Sequence, residues 1–156
     1  MFIVYHDMIQ QHDLAVPLGL IEDILALRET LRSVRNSNQG GWHSPASYSI
    51  KPQWASWLQD LEHLVGHKIH NYWFNVNGPG HSNKWHTHGA RFPAVAVWYL
   101  QTPPNSGRLL IRQPEGILAI DPRPGLIVQH PSGIDHSVEE NLSTELRISV
   151  AVNFVS

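Results

Sequence analysis

From near Ile69 onward the chain is cut into short apolar segments by turn residues, and no other feature restricts its fold as much. Eight of its eleven prolines fall in this stretch. Proline breaks helix interiors and is confined to edges and turns of sheets, so long helices are excluded here. The segments "IHNYWFNV", "AVAVWYL", "RLLI", "GILAI", "GLIVQH", "DHSVEE" and "LRISVAVNF" read as strands. "NGPG", "TPPNSG", "DPRPG" and "HPSG" separate them. Short strands at this rhythm predict a β-sandwich or barrel.

The first third has a different texture. "PLGLIEDILALRETLRSVRN" spaces Leu20, Ile24, Leu27, Leu31 and Val34 by fours and threes, which predicts an amphipathic helix with Pro17 in its first turn. "NSNQGGWHSP" reads as a loop. In "QWASWLQDLEHLVGH", Trp54, Trp57, Leu58, Leu61, Leu64 and Val65 share the face of a second helix. The expectation is one domain over residues 1–156, mainly β with N-terminal helices. A helical layer over about 1–67 packs on a β-roll body over about 68–156.

The chain has no cysteine, so thiolate ligands, disulfides and cysteine nucleophiles are excluded, and any metal must take nitrogen and oxygen donors. The eleven Lys and Arg residues form no block and the net charge is −2, which offers no surface for nucleic acid or membrane. "MFIVYHDMIQ" is a poor signal peptide and no apolar run reaches the ~20 residues of a membrane span. A cytoplasmic protein is the expectation, with a homodimer left open.

Eleven histidines raise the question of a metal. His86 and His88 stand one residue apart in "NKWHTHGARF". On a strand, residues i and i+2 project to one face, so the two rings point together. His136 follows the turn "PSG", and an antiparallel roll can bring its strand beside that of His86. Two neighbouring ligands and one distant histidine leave half a coordination sphere open, as in non-haem iron oxygenases. Further on, Arg147 and Ser149 alternate onto one face. Turned inward, Arg147 needs an anion, and a bidentate carboxylate ligand is a natural partner. Turned outward, it would pair with Glu145 or Glu139.

Taken together, these motifs resemble the iron(II)- and 2-oxoglutarate-dependent oxygenases, more narrowly a small bacterial and phage subfamily with a His-x-His...His pattern. The resemblance runs through "SNQGGWHS" at 37–44, "WFNVNGPGHSNKWHTH" at 73–88, "VWYL" at 97–100 and "SGRLLI" at 106–111. It continues through "DPRPGLIVQHPSGIDHSVEEN" at 121–141 and "LRISVAVNF" at 146–154. It implies a double-stranded β-helix, a cupin-like jelly roll, with the metal at one mouth. His86 then matches the first histidine ligand and His136 the distal one. Arg147 and Ser149 match the pair that holds the far carboxylate of 2-oxoglutarate. His88 stands where the broad superfamily carries Asp or Glu. Either it is a third ligand, or water or Glu139 fills that place.

The implied cofactors are Fe(II), 2-oxoglutarate as cosubstrate, and dioxygen, acting on a small-molecule or peptidyl substrate. Asn75, Asn77, Tyr99 and Tyr72 are candidate donors to the near carboxylate. Trp73, His81 and Trp85 are candidate substrate contacts, with Trp42, His43, Arg91 and Arg112 behind them. Two other readings stand beside hydroxylation. One is a three-histidine cupin-type dioxygenase without 2-oxoglutarate. The other is a non-catalytic β-roll that binds a metal or ligand.

Overall fold

A computed structural model describes residues 8–47, 51–89 and 91–156. Two antiparallel sheets make the body. The larger runs β1 (Gln10–Asp13), β9 (Leu126–His130), β6 (Ala94–Gln101), β11 (Arg147–Val155), β4 (Lys68–Asn77) and β3 (Trp42–His43). The smaller runs β2 (Asn38–Gln39), β5 (Ser82–His86), β10 (His136–Val138), β7 (Leu109–Gln113) and β8 (Gly116–Ile120). The turn-punctuated sequence predicts a mainly β body of this kind, and the two antiparallel sheets make the double-stranded β-helix that the resemblance implies.

The larger sheet has two buried faces, and residue parity decides what each carries. On β11, Ile148, Val150, Val152 and Phe154 join an apolar core with Tyr72, Phe74 and Val76 of β4 and Trp98 of β6. Helices α1 (Leu20–Thr30) and α2 (Ala55–Val65) cover that side, supplying Leu20, Ile24, Trp57 and Leu61. The alternate residues Arg147, Ser149 and Ala151 face the smaller sheet instead and line the cleft between the sheets. The far end of the sandwich is closed by Leu109, Ile111, Ile120 and Val128.

The N-terminal region departs from the sequence expectation in three ways. The first helix stops at Thr30, where residues to Asn36 were expected to continue it. Leu31 is extended (φ −119°, ψ 137°), its carbonyl accepts the Trp42 indole N–H at 2.9 Å, and Val34 N–H donates to the His43 carbonyl at 2.8 Å. Pairing with β3 thus outweighs helical periodicity, and Val34 is left exposed. Pro17 lies ahead of the helix, which begins after Gly19 in a left-handed conformation (φ 87°). The segment read as a loop contains β2 and β3, and β1 precedes α1, so the helical layer also supplies strands to both sheets. The second helix holds as expected and ends at Gly66, left-handed at φ 79°. Among the described residues, no helix is long and apolar enough to cross a membrane.

Candidate metal centre

Strand register brings the first two histidines together. β10 lies between β5 and β7, with His136 directly opposite His86. His88 lies beyond the end of β5, in a segment tied by its own N–H to the Ser132 carbonyl at 2.9 Å. Its ring still turns to the same side. Ring centroids are 4.2 Å apart for His86 and His136, 5.0 Å for His88 and His136, and 5.4 Å for His86 and His88. One ring nitrogen from each of the three falls within 4.8 Å of the others.

The second ring nitrogen of each is already committed. Nδ1 of His86 donates to the Lys84 carbonyl at 2.7 Å, and Nδ1 of His136 to the Ile134 carbonyl at 3.0 Å. Nδ1 of His88 donates to Oδ1 of Asn153 at 2.7 Å. With the hydrogen on Nδ1, the lone pair is on Nε2 in all three, as metal ligation requires. Burial, the largest cause in each case, lowers the affinity of these rings for protons and pushes His136 down to about 2. The neutral imidazole is the ligating form, so burial favours ligation.

A fourth imidazole, His130, lies 4.6 Å from His136 between ring centroids. It donates from Nδ1 to the Pro131 carbonyl at 2.8 Å, and burial pushes it down to about 4. A titration follows from these values. In the unfolded chain histidine protonates near 6.5, whereas buried His130 and His136 do so only near about 4 and about 2. Below pH 6.5 the unfolded chain therefore binds more protons, and the metal-free fold loses stability as the pH falls. The slope reaches about 1.4 kcal/mol per pH unit for each such histidine. Urea midpoints of metal-free protein, measured from about pH 7 to about pH 4.5, should fall steadily; a flat profile would contradict the burial of these rings.

The inner end of the cleft has the opposite chemistry. Arg147 is 3 % exposed and has no carboxylate within ion-pair distance among the described residues. Its Nη1 donates to the Ser106 carbonyl. Ser149 lies between Asn75 on β4 and Tyr99 on β6, so three polar side chains cross the sheet in a row beside the guanidinium. Oδ1 of Asn75 is buried without a hydrogen-bond partner, and burial raises the Tyr99 hydroxyl to about 12. The cleft is lined at one end by the histidines and at the other by Arg147 and Ser149.

Other residues singled out in the sequence fall elsewhere. Trp73 does line the cleft, stacked between His43 (5.2 Å) and His88 (5.6 Å). His81 does not: its Nδ1 accepts the Gly78 N–H at 2.8 Å and its ring packs against Gly40. Trp85 projects to the other side of β5, where the Arg112 guanidinium lies 4.4 Å from its ring and pairs with Asp135 at 3.2 Å. Tyr72 points into the helix-side core because it has the opposite parity to Trp73. Glu139 is held by Arg108 through contacts of 2.7 and 3.0 Å, so it neither approaches the histidines nor pairs with Arg147. Asn36, Asn71, Arg91 and Phe92 join His43, Trp73 and His88 around an outer cleft on the other side of the triad.

No protein-family model matches the sequence, and no curated protein does. Solved structures do. A prolyl-4-hydroxylase from Pseudomonas putida matches 97 % of this chain and 93 % of its own, at 18 % identity and a TM-score of 0.73. A prolyl hydroxylase from Trichoplax adhaerens, in complex with a peptide fragment of the hypoxia inducible factor oxygen degradation domain, matches 95 % and 83 %, at 13 % identity and a TM-score of 0.74. HygX from Streptomyces hygroscopicus, with nickel and 2-oxoglutarate bound, matches 95 % and 82 %, at 11 % identity and a TM-score of 0.71. The chain has the fold of these proteins.

Two residues of the site escape the sequence reading. Asn153 carries a signal that could have found it: Arg147, Ser149, Ala151 and Asn153 follow at steps of two along one strand. His130 carries none, because it ends β9 opposite Val95 of β6 and its approach to His136 is set by the fold.

Proposed function

We propose that this protein is an Fe(II)- and 2-oxoglutarate-dependent oxygenase, the whole chain acting as one unit that hydroxylates a small-molecule or peptidyl substrate. One observation carries the reading. A triad of imidazoles with free Nε2 atoms shares a cleft with a buried arginine that pairs with no carboxylate among the described residues. An unpaired buried charge is costly, and a dicarboxylate reaching from the metal to Arg147 would relieve it. His86, His88 and His136 would hold the iron. Arg147 and Ser149 would hold the far carboxylate of 2-oxoglutarate, with Tyr99 and Asn75 beside it. When bound, this pair supplies the oxidation: 2-oxoglutarate and dioxygen give succinate and carbon dioxide as one C–H bond of the substrate becomes C–OH. The chain itself orients the cosubstrate, keeps the ligand imidazoles neutral and excludes water from the inner cleft. Substrate approaches through the outer cleft past Trp73.

The test uses purified protein, Fe(II), ascorbate and 2-oxoglutarate, with succinate measured and cosubstrate binding followed by calorimetry. Metal-loaded protein that fails to bind 2-oxoglutarate would sink the proposal. A three-histidine dioxygenase acting without cosubstrate is favoured instead if oxygen is consumed and no succinate forms.

Gly107 gives a second check on the inner end. Its φ is 102°, and a Cβ there would lie 2.6 Å from Nη1 of Arg147 and closer still to the Glu139 carbonyl. Gly107→Ala is expected to strain the backbone by about 1–3 kcal/mol and to displace the guanidinium. Calorimetry should show 2-oxoglutarate affinity reduced while metal affinity holds.

A further inference from the structure

The three imidazoles are not oriented in the same way. His86 and His136 each turn Nδ1 onto the carbonyl two residues upstream, Lys84 and Ile134. His88 lies past the end of its strand, and its partner is a side chain, Oδ1 of Asn153 at 2.7 Å. Asn153 is itself oriented. Its amide nitrogen donates to Oδ1 of Asn71 at 2.8 Å, and Asn71 is its cross-strand partner on β4.

This relay has a direction. Because the Asn153 amide nitrogen is taken by Asn71, the atom facing position 88 is an oxygen, an acceptor only. An imidazole meets it with Nδ1–H and keeps Nε2 free for a metal. A carboxylate at the same place would set acceptor against acceptor. The same strand carries Arg147 six residues earlier on the same face, so β11 would serve both ends of the site.

We propose that Asn153, held by Asn71, is the positioning residue that commits His88 to be the third metal ligand, making this a three-histidine centre by construction. The inference rests on the reading of the triad as a metal site. It accounts for a histidine where related oxygenases carry an acid.

The experiment titrates metal-free protein with Co(II) alone, reading visible absorption and measuring Kd by competition with a chromophoric chelator. Asn153→Ala is expected to weaken Co(II) binding about 10- to 100-fold, the range for loss of a partner behind a ligand, and to alter the absorption bands. Asn153→Asp keeps an acceptor facing His88 and should stay within a few-fold of the natural protein. A merely structural role would weaken both variants alike, and that outcome overturns the proposal, as does an unchanged Kd in Asn153→Ala. Circular dichroism of the metal-free variants reports folding. The natural protein gives an independent reading: nitrogen NMR of labelled histidine should find the proton of His88 on Nδ1, and an Nε2–H tautomer also overturns the proposal. If the natural protein binds no Co(II), the metal-site reading fails, and this inference with it; if it binds Co(II) and only the variant results fail, the metal site stands and Asn153 alone is excluded.

Discussion

Replacing His136 with alanine is expected to abolish metal binding, with an affinity loss beyond the 10- to 100-fold typical of residues behind the ligands. His136 is 6 % exposed, whereas His86 and His88 are half-buried at the mouth. Its centroid lies closer to each of the other rings than they lie to one another. Without it, two half-buried imidazoles remain. Its strand is only three residues long but is paired on both sides, to β5 and β7, so the ring is placed by the sheet. His130→Ala is the matched control. That ring is equally buried and touches His136, but it lies outside the group whose nitrogens converge. It should retain metal within about 10-fold. Metal content after dialysis and Co(II) titration of both variants give the contrast, and equal losses would mean that His136 acts only as core.

What was legible in the sequence follows from where the information sits. Strands β6 and β11 are long and almost wholly buried, and β4 is long with alternate residues buried, so their own composition announces them. β2 and β3 are two residues each, and β1 is "QQHD"; none contains a reason to be extended, because the reason is the strand it pairs with. The same division runs through the site. That Arg147 and Ser149 share a face was readable from spacing, while the direction of that face was not, and the same spacing extends to Asn153. The convergence of His86 and His136 needed the register of β5 and β10, which only the fold supplies. Trp85 failed for a local reason: it neighbours His86, and on a strand a neighbour points the other way.

Arginine 147 yields an expectation with opposite signs in two measurements. Arg147→Met should cost 2-oxoglutarate binding about 2–5 kcal/mol, the scale for removing one partner of a buried charge pair, or a weakening from tens- to thousands-fold. The ligand-free fold should be as stable as before or more so. Arg147 there is a buried cation with no carboxylate partner among the described residues, and burial lowers its affinity for its proton, so removing it relieves a desolvation cost. Methionine fills much of the same space with an unbranched apolar chain. The two effects separate in one thermal experiment. At 2-oxoglutarate near 100 times its Kd, the natural protein should gain about 2.7 kcal/mol, and Arg147→Met at most about 0.9 kcal/mol. Arg147→Lys should fall between, since lysine keeps the charge but lacks the fork that grips a carboxylate with two parallel bonds. A methionine variant that binds 2-oxoglutarate normally would mean that the buried charge serves the fold, and that the dicarboxylate, if it binds, is held elsewhere. A variant that loses both binding and ligand-free stability would mean that the Ser106 carbonyl is the partner that matters, because Arg147 would then be a strut between β11 and the turn before β7.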